Sequence, residues 1–207
     1  MKLSLVVLGA LVVSTAAFAS DGTANFRIEN GAVVSFSYDA DFHAGKLTGQ
    51  ITTNGTSQVE LSVNRAGDWT GHMGTVSVNA SAVSTDDAGM QTVEIRTMDG
   101  IFDYTIETNA KGDVEFRTMS PQTGELLTAG LTDKGTQFSV LTRNLNMGLS
   151  LDPDTNCACH FSGPATAFYG TETADLNAMG SLSLLDLARK DPALFVLLYV
   201  LPFDLGN

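Results

Sequence analysis

Hydrophobic and polar residues alternate along much of the chain between positions 25 and 151. In the clearest stretch, Val34 to His43, apolar residues occupy every second position, and serine, aspartate and histidine occupy the others. Shorter stretches with the same period include those beginning at Val59, Val93, Phe102 and Val114. Because successive side chains of a strand point to opposite faces, this period predicts β-strands with one apolar and one polar face.

Short turn signals separate these predicted strands. Asn30-Gly31, Asn54-Gly55, Asp99-Gly100 and Lys111-Gly112 each lie between two apolar runs. Glycine adopts the positive φ that short hairpin loops need, and Asn and Asp tolerate it. We therefore predict a mainly β protein, in which successive hairpins form an antiparallel meander that closes as a barrel or packs as a sandwich.

The alternation does not say which face of the sheet meets water. A soluble barrel or sandwich buries its apolar face, whereas an outer-membrane barrel turns that face to lipid. Most of the runs are shorter than the about nine to eleven residues of a tilted membrane-spanning strand. The aromatic residues are also not grouped at strand ends. We therefore expect a soluble domain whose apolar face lies inside.

The period changes near the end of the chain. Ser183-Leu184-Leu185-Asp186 resembles a capping box at the start of a helix, and Asp191-Pro192 offers a second N-cap with proline at the first helical position. Ala193 to Leu201 is apolar all round, until Pro202 stops the pattern. This second helix could be buried under or across the sheet. Alternatively, it could dock on a partner or a membrane surface.

The first residues have the layout of a secretory signal peptide. Lys2 precedes an apolar run from Leu3 to Val13, and Ala17-Phe18-Ala19 is a small-x-small cleavage site. We therefore expect export to the periplasm or the extracellular space and removal of residues 1–19.

The rest of the chain divides into three predicted parts. Residues 20–151 form the antiparallel β domain, and residues 152–173 form an irregular connection that contains both cysteines. Residues 174–207 form a C-terminal helical segment packed on the β domain. The apolar run of that segment is too short to cross a bilayer, so we expect no transmembrane span in the mature chain.

The charge of the chain is strongly negative. Eleven basic residues stand against 23 acidic ones, for a formal net charge of -12. Such a surface repels nucleic acid and anionic lipid, and we therefore expect no nucleic-acid partner. A protein partner, a small ligand and an oligomer all remain open.

Cys157, Cys159 and His160 form the densest group of soft metal ligands in the sequence. Two thiolates and an imidazole could bind copper or zinc, although structural zinc sites usually place two residues between their cysteines. In an exported protein the two cysteines could instead form a disulfide with each other. Free thiols and an intermolecular bridge are the remaining alternatives.

Two groups of hard ligands could bind a cation. Asp152, Asp154 and Asn156 have the alternating oxygen ligands of a calcium loop, but the glycine and glutamate that an EF-hand needs further on are missing. Asp39, Asp41 and His43 alternate on one strand and therefore point to the same side. They could bind a divalent metal, share a proton, or simply form the solvent side of a strand.

Three aromatic residues are candidates for contact with a ligand or partner. Trp69 lies between glycines, where an aromatic ring can stack on a sugar, anchor an interface or plug one end of a barrel. Phe195 and Tyr199 belong to the apolar C-terminal run and would take part if that run docks on a partner.

The sequence favours binding over catalysis. It contains no nucleophile elbow, phosphate loop or dinucleotide fingerprint. We predict an exported, non-enzymatic binding or structural protein of the periplasm, envelope or extracellular space. One alternative is a metal-binding or thiol-redox accessory protein that uses Cys157, Cys159 and His160. Another is a secreted hydrolase that uses the acidic strand face. We expect no cofactor beyond the copper, zinc or calcium considered above.

Overall fold

The computed structural model describes residues 22–30, 33–52, 55–84, 90–97, 100–119, 124, 126–142, 145–152, 160–167, 170–177 and 183–202. Within them the chain forms fourteen strands and then two short helices. The strands are β1 (Gly22–Asn30), β2 (Val33–His43), β3 (Lys46–Thr52), β4 (Thr56–Val63), β5 (Trp69–Met73), β6 (Val76–Ser84), β7 (Met90–Thr97), β8 (Gly100–Thr108), β9 (Val114–Met119), β10 (Leu126–Thr132), β11 (Gln137–Leu141), β12 (Leu145–Leu151), β13 (His160–Ala167) and β14 (Gly170–Asn177). The helices are α1 (Leu184–Lys190) and α2 (Pro192–Tyr199).

The strands form one closed antiparallel barrel. Each strand pairs with its neighbours in sequence, and β1 pairs with β14 to close the ring, with Phe26 opposite Leu176. The predicted antiparallel meander is therefore confirmed, and of the two predicted architectures the chain adopts the barrel. Closure pairs the backbone of every strand on both sides, which satisfies the hydrogen-bonding groups that an edge strand would expose.

The barrel continues beyond Leu151, where we expected the β domain to end. Strands β13 and β14 lie in the stretch that we assigned to an irregular connection and to the helical segment. Their sequences, HFSGPATA and GTETADLN, are rich in small and polar residues and carry few large apolar ones. Their period is therefore weak, and pairing with β12 and β1 makes them strands.

The apolar face of the sheet forms the inside of the barrel. On β2, Phe36, Tyr38, Ala40 and Phe42 are buried, while Asp39 and the polar residues that follow it at alternate positions are exposed. Other strands repeat this arrangement, so inward-pointing side chains from all around the barrel belong to one hydrophobic core. The apolar side of the alternation is inside, as we expected.

Helix α1 lies at one end of the barrel, which we call the α1 end. The turns between β8 and β9 and between β10 and β11 are at this end. Arg189 Nη2 donates a hydrogen bond to the carbonyl oxygen of Gly112 in the first turn, at 2.7 Å. Gly135 in the second turn faces Leu185, and a Cβ on Gly135 would be 2.8 Å from the Leu185 Cβ. Glycine at this position therefore allows the helix to approach the strands closely.

Helix α2 lies inside the barrel. All its residues are buried, and Phe195 is 0% exposed. The Phe195 ring stacks on inward-pointing Phe116 of β9, with centroids 4.6 Å apart, and meets Phe138 of β11 edge-on at 6.2 Å. The helix also contacts β6 and β7. Since fourteen strands enclose more space than inward side chains alone fill, α2 supplies the missing apolar volume.

Both predicted helix starts are present. The Asp186 backbone N–H donates to Ser183 Oγ at 3.1 Å, and the Leu194 backbone N–H donates to Asp191 Oδ1 at 3.0 Å. Each cap satisfies an N–H group that has no partner within its helix. Of the helices that the structure describes, none has both the length and the apolar character to cross a membrane.

Candidate functional site

The predicted acidic face lies on the outer surface of β2. Asp39 stands opposite Asn25 on one neighbouring strand and Gln50 on the other, and Asp39, Asp41, Asn25 and Gln50 help to line a shallow groove of about 480 Å³. Gly49 lines this groove and lies close to the backbone of β2, because a Cβ there would collide with the Asp39 carbonyl oxygen. The groove is polar and open to solvent.

His43 lies at the end of the same strand, opposite Lys46, and does not line that groove. Within the described parts of the chain, no three His, Cys, Asp or Glu side chains form a group able to hold a metal ion. The hydrolase hypothesis based on this face stays a prediction from sequence.

His160 lies between two aspartates on the outside of the barrel. Its Nδ1 is 3.3 Å from Asp152 Oδ2, and its Nε2 is 3.5 Å from Asp175 Oδ1. The Asp152 backbone N–H also donates to the His160 carbonyl oxygen at 2.8 Å, which joins the start and end of the β12–β13 connection. Because the two ring nitrogens point in opposite directions, these three side chains link β13 to β14 and to the residue that follows β12 rather than converge on one ion.

Asp154, Asn156, Cys157 and Cys159 lie outside the described residues. The calcium loop, the soft-metal site and the disulfide therefore stay predictions from sequence, and so does the metal-binding or thiol-redox hypothesis that depends on them.

The three aromatic candidates lie inside the barrel. Trp69 is 0% exposed and packs against Phe42 with ring centroids 5.6 Å apart, while Phe195 contacts Tyr199 at 5.4 Å. In this structure their contacts are with other residues of the core. A ligand or partner contact by Trp69, Phe195 or Tyr199 stays a prediction.

The carboxyl of Asp191 is a largely buried acid at the start of α2. Burial raises its pKa above the usual 3.8, and the hydrogen bond from the Leu194 N–H and the nearby Trp69 indole N–H offset this only in part. The Trp69 Nε1 has no hydrogen bond of standard geometry, and the same is true of the buried Tyr38 hydroxyl and Thr118 hydroxyl. Burial, and then the neighbouring Tyr199, also raise the pKa of Tyr38. Burial thus disfavours the ionised forms of Asp191 and Tyr38.

Replacing Asp191 tests this assignment through the pH dependence of stability. Because the folded-state pKa is raised, the contribution of Asp191 to the free energy of unfolding falls as pH rises from below 3.8 through the raised pKa. Asp191→Asn keeps the cap without the charge, so we expect it to match the wild type at about pH 3 and exceed its stability at about pH 7. Urea denaturation across this range measures the difference.

Asp191→Ala is the matched control because it removes the cap as well as the charge. We expect it to lie below the Asn variant by about 1 kcal/mol at every pH. If the difference in the free energy of unfolding between the wild type and Asp191→Asn is the same at both pH values, the Asp191 carboxyl is not ionised in a buried position.

An exposed apolar surface, which we did not predict from the sequence, lies on the outer face of β8–β11. Among the described residues the large hydrophobic side chains that are most exposed are Ile101, Met119, Leu126 and Leu141, at 46% to 63%. All four lie near the barrel end opposite α1, and we call them the apolar band. Met119 and Leu126 are directly opposite each other. With strands about 4.8 Å apart, the band is about 14 Å wide.

A signal for this band exists in the sequence. Met119 follows Glu115 and Arg117 at the polar positions of the alternation, and Ile101 precedes Asp103 and Thr105 in the same way. A large apolar residue in the polar phase of a strand points outward when its neighbours point outward. What one strand cannot show is that four such residues meet on adjacent strands.

A second outer groove, of about 440 Å³, continues from the band towards the α1 end. Its lining includes Leu141 of the band, together with Glu107, Asp113, Glu115 and Gly130. Gly130 has no side chain to fill the floor. We call this the acidic groove.

Two acidic residues on neighbouring strands line the acidic groove side by side. Glu107 and Glu115 are directly opposite on β8 and β9. Glu115 also accepts a hydrogen bond from Arg117 Nε at 2.5 Å, and this contact raises the pKa of the exposed Arg117. Asp113 is held in the adjoining turn by the Asn109 amide, at 3.0 Å. The side chains that border the groove therefore carry more negative than positive charge.

Comparison of the chain with models of protein families, with curated proteins and with solved structures found no match.

Proposed function

We propose that this protein is an exported, non-enzymatic binding protein that docks a protein partner on the apolar band. The observation that carries the proposal is the position of Ile101, Met119, Leu126 and Leu141 on the outer face of four adjacent strands, with Met119 directly opposite Leu126. Contiguous apolar side chains in water gain free energy when a partner covers them, and apolar residues ringed by polar ones are typical of the centre of protein interfaces.

Closure of the barrel supports docking through side chains. The described strands are hydrogen-bonded to neighbours on both sides. A partner therefore has no free strand edge on which to add a strand of its own, which is a common mode of peptide recognition. A partner on the outside of the barrel therefore contacts the outward-pointing side chains of the strands.

Packing of the interior also directs binding to the outer surface. Helix α2 occupies the space in which many barrels hold a small ligand, and Phe195 and Trp69 are 0% exposed. A small molecule would have to displace these contacts, whereas a partner on the outside displaces only water.

Export rests on the sequence alone. The signal-peptide pattern at residues 1–19 lies outside the described residues. The net charge of -12 favours solubility and disfavours association with nucleic acid. Binding in the periplasm or outside the cell is the setting that these features support.

Site-specific photo-crosslinking in the native host tests the proposal. A photoreactive residue at position 141 should give an adduct of one defined mass, and the same residue at exposed position 58 on β4 should not. Truncating interface centres costs about 1–2 kcal/mol per residue, so we expect Ile101→Ser with Met119→Ser to reduce the adduct about tenfold or more. Because both side chains are outside the core, the thermal unfolding of this variant should stay close to that of the wild type.

Two outcomes would contradict the proposal. One is equal crosslinking from positions 141 and 58, or crosslinking that the double substitution leaves unchanged. The other is an adduct with the mass of two copies of this chain, which would make the band a self-association surface instead.

A further inference from the structure

We infer that the partner segment is basic as well as apolar, with cationic side chains that enter the acidic groove while apolar side chains cover the apolar band. This inference rests on the proposed function, because it identifies the chemistry of the partner that the band binds.

The band and the acidic groove adjoin on β10 and β11, whereas on β9 the exposed Arg117 lies between Met119 and Glu115. Leu141 belongs to the band and also lines the groove, and Thr128, directly opposite Leu141 on β10, lines the groove as well. From Leu126 to Gly130 along β10 the distance is about 14 Å, at about 3.4 Å per residue. One extended segment of about six to eight residues therefore reaches both.

The paired carboxylates supply the attraction for a cation. Like charges on directly opposite residues of neighbouring strands are destabilising, so Glu107 and Glu115 repel each other. Arg117 lies beside Glu115 on its own strand and pairs with it there. A lysine or arginine of the partner between Glu107 and Glu115 would relieve the remaining repulsion and gain a charge-assisted hydrogen bond.

The charge of the protein favours this class of partner over a second copy of the chain. Two copies that face each other over both the band and the groove would bring Glu107, Glu115 and Asp113 of one molecule close to the same residues of the other. The net charge of -12 would oppose their approach at long range. A basic segment is instead drawn towards the groove, and salt weakens this attraction.

Three synthetic peptides of about ten residues, which span about 33 Å when extended, test the inference. The first carries leucines in one half and lysines in the other. The second replaces its lysines with glutamates, and the third replaces its leucines with serines. Binding of each labelled peptide to the full chain is measured by fluorescence anisotropy at about 50 mM and about 500 mM salt.

We expect the leucine–lysine peptide to bind about tenfold or more tightly than either relative at low salt. At high salt it should lose much of its advantage over the leucine–glutamate peptide and keep its advantage over the serine–lysine peptide. Glu107→Gln should weaken its binding about three- to tenfold and reduce the salt dependence. Asp39→Asn with Asp41→Asn changes a carboxylate pair in the other outer groove, and this matched control should bind like the wild type.

The outcomes separate this inference from the proposed function. If the lysine and glutamate peptides bind equally, and Ile101→Ser with Met119→Ser weakens both, the basic partner is wrong and the band still binds. If the serine–lysine peptide binds as tightly as the leucine–lysine peptide, the band has no part in binding and both ideas fail. If none of the three peptides binds at concentrations up to about 100 μM, the inference is wrong and the proposed function is unaffected.

Discussion

Deleting residues 191–207 is expected to abolish cooperative folding of the barrel. The deletion removes α2, whose Leu194, Phe195, Val196, Leu197 and Leu198 are each no more than 1% exposed. Burial of one such side chain contributes about 1.5–3 kcal/mol, so the five contribute about 8–15 kcal/mol. That is as large as the whole stability of a typical domain, about 5–15 kcal/mol.

Thermal and urea denaturation, followed by circular dichroism, measure this effect. The truncated chain should show no sharp transition and should bind an apolar dye such as ANS, because the inward side chains of the barrel would lose the helix that covers them. A truncated chain that unfolds cooperatively at the wild-type midpoint would show that α2 is not part of the core and would reopen its role as a docking element.

Replacing Phe195 with alanine is expected to lower the free energy of unfolding by about 3–5 kcal/mol. The ring lies between Phe116 and Phe138, with which it makes stacked and edge contacts, and it is 0% exposed. Alanine would leave a cavity among side chains on a helix and two separate strands, which cannot close without moving the helix. Urea denaturation with an unchanged m value measures the loss.

Two variants serve as controls for Phe195→Ala. Phe195→Leu keeps most of the apolar volume and should lose clearly less stability. Leu126→Ala removes a large side chain that is 54% exposed, so its effect should stay within about 0.5 kcal/mol. A loss below about 1 kcal/mol for Phe195→Ala would contradict the placement of this ring inside the barrel.

Strand positions were predictable where the alternation is strong. On β2, five apolar residues alternate with polar ones, and the buried Phe36, Tyr38, Ala40 and Phe42 and the exposed Asp39, Asp41 and His43 agree with that phase, whereas Ser37 is buried although it is polar. The cause is local, since the direction of a strand side chain depends on its parity along the chain. Capping of α1 and α2 was predictable for the same reason: Ser183 and Asp191 act on residues only three positions away.

Strands β13 and β14 show where local reasoning ends. Gly163 and Pro164 interrupt β13, and its neighbours are mostly small or polar. A segment of this composition has a low propensity to form a strand. It does so here because β12 and β14 lie on either side, and their backbone groups pair with it.

The candidate binding surface depended on residues that are distant in sequence. Ile101 and Leu141 are forty positions apart in the sequence. They lie on β8 and β11, which are separated by two strands, and both are near the same end of the barrel. Each looked like a single exception within its strand. Only strand order and register place Met119 opposite Leu126 and Glu107 opposite Glu115, and thereby join the apolar band to the acidic groove.

The amino-acid pattern was sufficient for the mainly β, antiparallel character of this protein, the apolar and polar sides of its clearest strands, and the starts of its two helices. These properties depend on backbone geometry and on neighbours a few residues apart. Closure between β1 and β14, the insertion of α2 into the barrel and the joining of the apolar band to the acidic groove were decided by packing. An all-apolar helix is stabilised by burial in any apolar environment, so the sequence of α2 does not determine whether it enters the barrel or docks elsewhere. The space inside a fourteen-stranded barrel determines that it is buried there.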